Sequence, residues 1–434
     1  MNEKPTSDSM AVPSSLFLIP YAFLSASSLG DGMLDEVVID ALCAIRLHLD
    51  MEVAFISEFS EGYRRFRYVD SALENSPIAV GDSGPLEESY CQRVVDGRLP
   101  ELIQDASQVP AALDLAVTTA LPVGAHLSVP IRLDSGEVYG TFCCFSTRPN
   151  FTLGDRDLAI VRLFADFTAR QIGREFAAER DRREMTQRVS SVLQAEAFTV
   201  VYQPIIDLLR NRVVGVEALT RFWSRPIRSP DIWFAEASQV GYSEQLEIAA
   251  IAKALDCLNA IPEDVYLSLN VSPENILNGA IHRVLEGIPL HRIVLEVTEH
   301  VAIPDYTQFD EQLSRLRYPP PSAGAEPSAG GDRGLRLAVD DAGAGYASFR
   351  HILQLNPDII KLDIALIRDI DTDTTRRALT AALVGFARET NSLLIAEGIE
   401  TEAELATLQQ LAVNTVQGHL LGYPRPIDET SALF

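Results

Sequence analysis

From residue 198 to the C-terminus, short apolar runs alternate with longer segments in which apolar positions recur every three or four residues. Short continuous apolar runs suit strands buried on both faces, and the longer period suits helices packed over them. The runs 198–205, 213–219, 265–271, 293–298, 335–340, 359–363, 393–397 and 415–420 predict eight strands. Eight βα units predict a parallel sheet closed as a (β/α)8 TIM-like barrel, whose functional side chains gather at the C-terminal strand ends. A Pro319-Pro320-Pro321 run and the Ala/Gly/Ser-rich stretch to Gly334 predict a loop inserted before the fifth strand.

The N-terminal part reads differently. A helical stretch at 34–49 precedes short strands at 53–59, 126–132 and 138–145; Asp134-Ser135-Gly136 separates the last two as a hairpin signal, and 104–108 reads as loop. This order predicts an α+β domain over 34–175. A helix-period segment over 153–193, charged around Arg180-Asp181-Arg182-Arg183-Glu184, predicts an exit or connector helix. It is either a solvated linker or a dimerising signalling helix, with a heptad pattern that falters around Gly173. Residues 1–33 are expected to be a partly disordered leader and 194–434 the barrel domain. The apolar segment 16–24 does not suit a signal peptide, because Glu3 and Asp8 outweigh Lys4 and Pro20 interrupts the run.

Composition narrows the function. The 36 basic against 61 acidic residues give a formal charge of −25, which argues against DNA or RNA polymers as partners. No apolar run reaches the roughly 18 residues that a membrane span needs. Five cysteines without metal-binding spacing or an even framework suit a reducing cytoplasm. Cys91 reads as a packing thiol and His126 as a strand histidine satisfied by ordinary hydrogen bonds, so the ligand of this domain stays unassigned.

The strand ends carry the chemistry. They present Gln203, Glu217, Asn270, Glu296, Asp340 with Asp341, Lys361, Glu397 and Gln417. Carboxylate and amide oxygens suit Mg²⁺ or Mn²⁺ rather than zinc. The adjacent Asp340 and Asp341 allow a two-metal arrangement of the kind that serves in-line attack on a phosphodiester. Lys361 lies on an apolar strand, where an unpaired ammonium is costly, and it suits orientation of water and stabilisation of phosphoryl charge. Gly343-Ala344-Gly345-Tyr346 reads as a mobile loop beside the aspartates, or as a plain turn into the next helix.

The run Glu217-Ala218-Leu219-Thr220-Arg221 resembles the motif for which EAL-domain phosphodiesterases are named. Tyr202-Gln203-Pro204-Ile205, Asn270-Val271-Ser272, Glu296-Val297-Thr298-Glu299, Asp340-Asp341 with Gly343, Gly345 and Tyr346, Lys361-Leu362-Asp363, Ala396-Glu397-Gly398-Ile399-Glu400 and Gln417-Gly418 accompany it in the family's order. The resemblance covers roughly 185–430. It implies metal-dependent hydrolysis of cyclic di-GMP to linear pGpG. It further implies metal ligation by Glu217, Asn270, Glu296, Asp340, Asp341 and Glu397, and water activation by Lys361, Gln417 and Glu397. Gln203, Leu219 and Arg221 would bind substrate, and Glu299, Gly343 and Gly345 would steady the loop that begins at Asp341. The α+β domain resembles GAF sensor domains, which implies regulation through a helix-linked homodimer.

Two departures from the family pattern stand out. Ala342 replaces the usual Phe after the aspartate pair, and His419-Leu420-Leu421-Gly422-Tyr423-Pro424 lacks the usual aromatic and basic residues. None of these is a ligand position, so altered affinity is expected rather than lost chemistry. A catalytically inactive cyclic di-GMP receptor and a protein-interaction module on the same scaffold are the alternatives to an active enzyme.

Overall fold

A computed structural model describes residues 31–298, 303–318, 334–343, 348–430 and 434. Residues 1–30 of the leader, Glu299, the 319–333 part of the insertion, Gly345 and Tyr346 lie outside the described residues. The chain divides into two compact units, 1–180 and 181–434.

The first unit is a six-stranded antiparallel sheet in the order β3-β2-β1-β6-β5-β4. Its strands are β1 (Val53–Ser60), β2 (Tyr63–Ser71), β3 (Ser83–Pro85), β4 (Leu102–Ile103), β5 (Ala125–Arg132) and β6 (Val138–Ser146). Strand side chains alternate between faces, so each strand feeds two cores. Ala54, Ile56, Leu127, Phe142 and Cys144 pack beneath the helix Asp31–His48 and the start of the helix Asp155–Gln194. Val53, Phe55, Cys143 and Phe145 pack against Tyr90, Cys91 and Val94 of the helix Tyr90–Val95 on the other face. Strand β2 escapes sequence reading because Arg64, Arg65, Arg67 and Asp70 hide its alternation; Phe66 is its one fully buried residue. The helix Asp155–Gln194 is continuous for 40 residues, Gly173 included.

His126 departs from the expectation of ordinary hydrogen bonding, since its buried Nδ1 has no partner. Burial, with the Arg64 charge added, pushes its pKa down to about 3. The unfolded chain binds the proton near 6.5, so this group's stabilisation is complete above about pH 6.5 and is lost as pH falls toward 3. Besides Arg64, the Tyr90 ring lies tilted against the imidazole with centroids 4.5 Å apart, and Cys91 lines the same cavity. The expected loss by pH 3 is on the order of 4 kcal/mol. Melting temperatures between pH 7 and 4 for the full chain and for His126→Asn check this, and equal slopes in both would remove His126 as the cause.

The second unit is a closed eight-stranded barrel formed by β7 (Phe198–Asp207), β8 (Arg212–Phe222), β9 (Tyr266–Asn270), β10 (Ile293–Thr298), β11 (Arg336–Ala342), β12 (Ile359–Leu362), β13 (Leu393–Ala396) and β14 (Thr415–Val416). All eight expected strands are present. The sheet is not wholly parallel, however, because β7 runs antiparallel to both β8 and β14. The reason lies in the connection: residues 208–211 separate β7 from β8, whereas a parallel crossover needs a dozen or more residues. Gln203 therefore sits in the middle of its strand, not at a C-terminal end, and faces Glu217 in register.

Candidate active site

The barrel interior is layered by the two-residue period of its strands. Ile205, Tyr266, Val294, Ala338, Ile359 and Ile395 form an apolar floor. Gly215 completes it, because a β-carbon there would lie 2.4 Å from atoms of the Tyr266 ring. Two residues farther along the parallel strands come Glu217, Ser268, Glu296, Asp340, Lys361, Glu397 and Gln417; on the reversed β7 the equivalent residue is Gln203. A polar layer thus rests on an apolar one.

Lys361 occupies the centre of that layer with no solvent exposure. Its Nζ lies 2.6 Å from Glu397 Oε1, 2.7 Å from Glu296 Oε2, 3.2 Å from Asp340 Oδ1 and 3.5 Å from Glu217 Oε2. Burial opposes its charge, but these carboxylates outweigh burial and hold its pKa well above the ordinary lysine value. One cation does not neutralise four acids. Burial and the nearby Glu217 push Glu296 up to about 8, and burial likewise lifts Glu397 well above the usual carboxylate range. Glu217 ends below its ordinary value: burial raises it, but Lys361 and hydrogen bonds from Gln417 and Asn270 prevail.

Amides complete the layer. Gln417 Nε2 donates to Glu217 Oε2 at 2.6 Å and to Gln203 Oε1 at 3.1 Å, while Asn270 Nδ2 donates to Glu217 Oε1 at 3.1 Å. Gln203 Nε2 donates to the Gly422 carbonyl at 3.1 Å. Gly418 allows this closeness, since a β-carbon there would come within 2.2–2.7 Å of the Ile399 backbone, just after Glu397.

Asp341 joins by a different device. In a regular strand it would face away from Asp340. The β11–β12 pairing shifts register between Val339 and Ala342, and Asp341 takes φ 59°. This bulge brings ligand oxygens of Asp340, Asp341 and Glu397 within 4.8 Å of one another. Burial, then Asp340 and Asp363, push Asp341 up to about 6.

Not every candidate converges. Leu219 and Arg221 continue the inward period of β8 beyond Glu217, but Arg221 is exposed and donates to the Thr220 carbonyl at 2.9 Å. Gly343 follows the bulge with φ 105°, and Glu299 and Gly345 are not described. Ala342 is fully buried in the core, and His419, where an aromatic was expected, stacks on Tyr423 at 4.5 Å. Sequence reading passed over Ser268, whose hydroxyl donates to Glu296 Oε1, and gave no role to Asp363 of the Lys361-Leu362-Asp363 run, which hydrogen-bonds Asp341 and caps the helix Ile364–Ile367. Ser268 stands two residues before Asn270 inside an apolar strand, so the two-residue period would have found it.

The donor set fits divalent cations. Burial, with mutual repulsion added, raises the affinity of Glu296, Asp341 and Glu397 for protons, and the buried Gln417 Oε1 lacks a hydrogen-bond partner. All available donors are hard oxygens, which suits Mg²⁺ or Mn²⁺.

Fold and site together define a (β/α)8-type barrel with an acidic, lysine-centred interior, preceded by an α+β domain. Residues 186–424 match the EAL domain model and residues 33–172 the GAF domain model. The chain belongs to the EAL domain family. It is similar to the probable cyclic di-GMP phosphodiesterase PdeN of Escherichia coli, 27% identical over 258 residues, covering 56% of this chain and 46% of that relative. The cyclic di-GMP phosphodiesterase NbdA of Pseudomonas aeruginosa is 27% identical over 257 residues, covering 56% of this chain and 31% of NbdA. The chain therefore spans less than half the length of these relatives. The solved structure of the EAL enzyme Bd1971 with cAMP and cyclic di-GMP bound aligns with a TM-score of 0.53 at 16% identity, covering 88% of this chain and 93% of that one. At that identity the likeness speaks for the fold alone. No helix among the described residues is long and apolar enough to cross a membrane.

Proposed function

We propose that this chain hydrolyses cyclic di-GMP to linear pGpG, using Mg²⁺ or Mn²⁺ held by Glu217, Asn270, Glu296, Asp340, Asp341 and Glu397. The observation that carries the proposal is the closed polar layer, in which four carboxylates surround Lys361 and a bulge adds Asp341. The names of the relatives, cyclic di-GMP phosphodiesterases, supply the substrate class. When bound, divalent cations supply Lewis-acid activation and charge neutralisation for phosphodiester attack.

The chain's own residues do the rest. Lys361 keeps its proton, because four acids stabilise its charge, so it serves as a donor toward phosphoryl oxygens rather than as a base. Gln417 fixes the orientation of Glu217 and Gln203, while Arg221 and Leu219 lie farther out along β8 to meet a dinucleotide. The N-terminal GAF domain regulates the reaction through a homodimer. Removing residues 1–180 is expected to change both rate and oligomeric state, and a truncated chain unchanged in both would refute that regulation.

The activity test is formation of pGpG by the purified chain with Mg²⁺ or Mn²⁺. Turnover is expected with either ion, should vanish on chelation and should return on adding the ion back. Binding of cyclic di-GMP without turnover under both ions would replace the enzyme with the receptor reading.

A further inference from the structure

The N-terminal unit holds a pair of cysteines that the proposed hydrolysis does not use. The alternation of β6 turns Cys143 toward the helix Tyr90–Val95 and Cys144 toward the opposite core. Cys91 Sγ lies 3.8 Å from Cys143 Sγ, and both residues are buried. Three hydroxyls converge on them within an otherwise apolar core. Ser57 Oγ donates to Cys91 at 3.8 Å, Ser128 Oγ lies 3.0 Å from Cys143 Sγ, and Thr141 Oγ1 accepts from Cys143 at 3.1 Å.

Beside Cys91 is a cavity of about 20 Å³, also lined by Arg64, Tyr90 and His126. That space exceeds the roughly 10–15 Å³ a single water needs, and it limits an occupant to one or two non-hydrogen atoms. His126 is 2% exposed and its Nδ1 lacks a hydrogen-bond partner. The site thus combines a thiol, an unpaired buried polar nitrogen and a cationic wall around a space for one small polar molecule.

The two thiols are unequal. The hydrogen bond with Cys143 outweighs burial and, with the Arg64 charge, brings Cys91 down to about 6. Burial, followed by the neighbouring Cys91, raises Cys143 well above the ordinary thiol value. Two thiols in contact, one made more acidic by its neighbours, are the pairing that two-step thiol oxidation uses.

We propose that this cavity admits hydrogen peroxide, which oxidises Cys91 and Cys143 to a disulfide within the domain. The Cys91 thiolate attacks one peroxide oxygen, the O–O bond breaks, and the departing hydroxide takes a proton to become water. Cys91 is then a sulfenic acid. Cys143, having lost its proton, attacks the Cys91 sulfur; the S–O bond breaks, hydroxide leaves and is protonated to a second water. Two thiols lose two electrons and one peroxide becomes two waters. The sulfurs must close from 3.8 Å to about 2.05 Å, a movement that side-chain rotation and a small shift of the short helix supply.

The test uses the full-length chain and equimolar hydrogen peroxide, read by intact mass, peptide mapping and thermal melting. The chain is expected to lose about 2 Da, yield one Cys91–Cys143 cross-linked peptide and recover with dithiothreitol. Cys91→Ala should consume peroxide at least about 10-fold more slowly, and Cys143→Ala should give a dimedone-trapped sulfenic acid at Cys91. The bulky tert-butyl hydroperoxide should react at least about 10-fold more slowly with the unmodified chain, because the cavity excludes it. Oxidation of the partly exposed Cys43 while the Cys91 and Cys143 peptides remain reduced would overturn the proposal. The peptide map of the unmodified chain decides this even where a variant fails to fold.

Discussion

Replacing Lys361 with Met is expected to separate two effects of one ammonium group. In metal-free buffer the variant should melt on the order of 10 °C lower, because Glu217, Glu296, Asp340 and Glu397 lose their shared cation in a buried layer. Added Mn²⁺ should recover most of that loss by supplying positive charge to the same oxygens. Turnover should stay about 10³-fold below the unmodified chain even at saturating Mn²⁺, since Met carries no proton to place against a phosphoryl oxygen. Calorimetry with and without the ion, beside pGpG formation, gives both readouts. A purely structural Lys361 would let Mn²⁺ restore melting and turnover together. An unchanged metal-free melting temperature would contradict the buried electrostatics.

The different legibility of these parts in the sequence has physical causes. Barrel strands are apolar runs because both their faces are buried, so all eight stood out, and an inward polar residue on such a run is visible against its neighbours. This is how Glu217, Glu296, Lys361 and Glu397 could be named without coordinates. Strand direction depends on connection length, and the short 208–211 link already carried that information against an all-parallel reading. Asp341 was named beside Asp340 as a pair, but the bulge that turns it toward the same site was illegible, because adjacent residues of a regular strand face opposite ways and this bulge depends on pairing with β12. Strand β2 was hidden by surface charge at one face of a sheet. The Cys91–Cys143 pair was hidden for another reason: 52 residues separate its members, and only the packing of a helix on β6 brings them together.

Glu217 offers the second large effect, and here the conservative substitution should do no better than the truncation. Both of its oxygens accept hydrogen bonds from amide nitrogens, Oε1 from Asn270 and Oε2 from Gln417. Glu217→Gln puts an NH₂ group against one of those donors, leaving two donors face to face in a buried layer. Glu217→Ala and Glu217→Gln should therefore each lower pGpG formation by about 10³-fold. The exchange Glu217→Gln with Gln417→Glu restores a donor–acceptor pair at this contact and keeps the net charge, while moving the carboxylate from β8 to the segment after β14. Unfolding free energy should return toward that of the unmodified chain in this double variant, by on the order of 1–3 kcal/mol relative to Glu217→Gln. Turnover should remain lost, because the proposed ligand oxygens no longer project from β8 toward Asn270 and Lys361. Recovery of turnover along with stability would show that Glu217 acts only by holding Gln417, and would remove it from the proposed metal site.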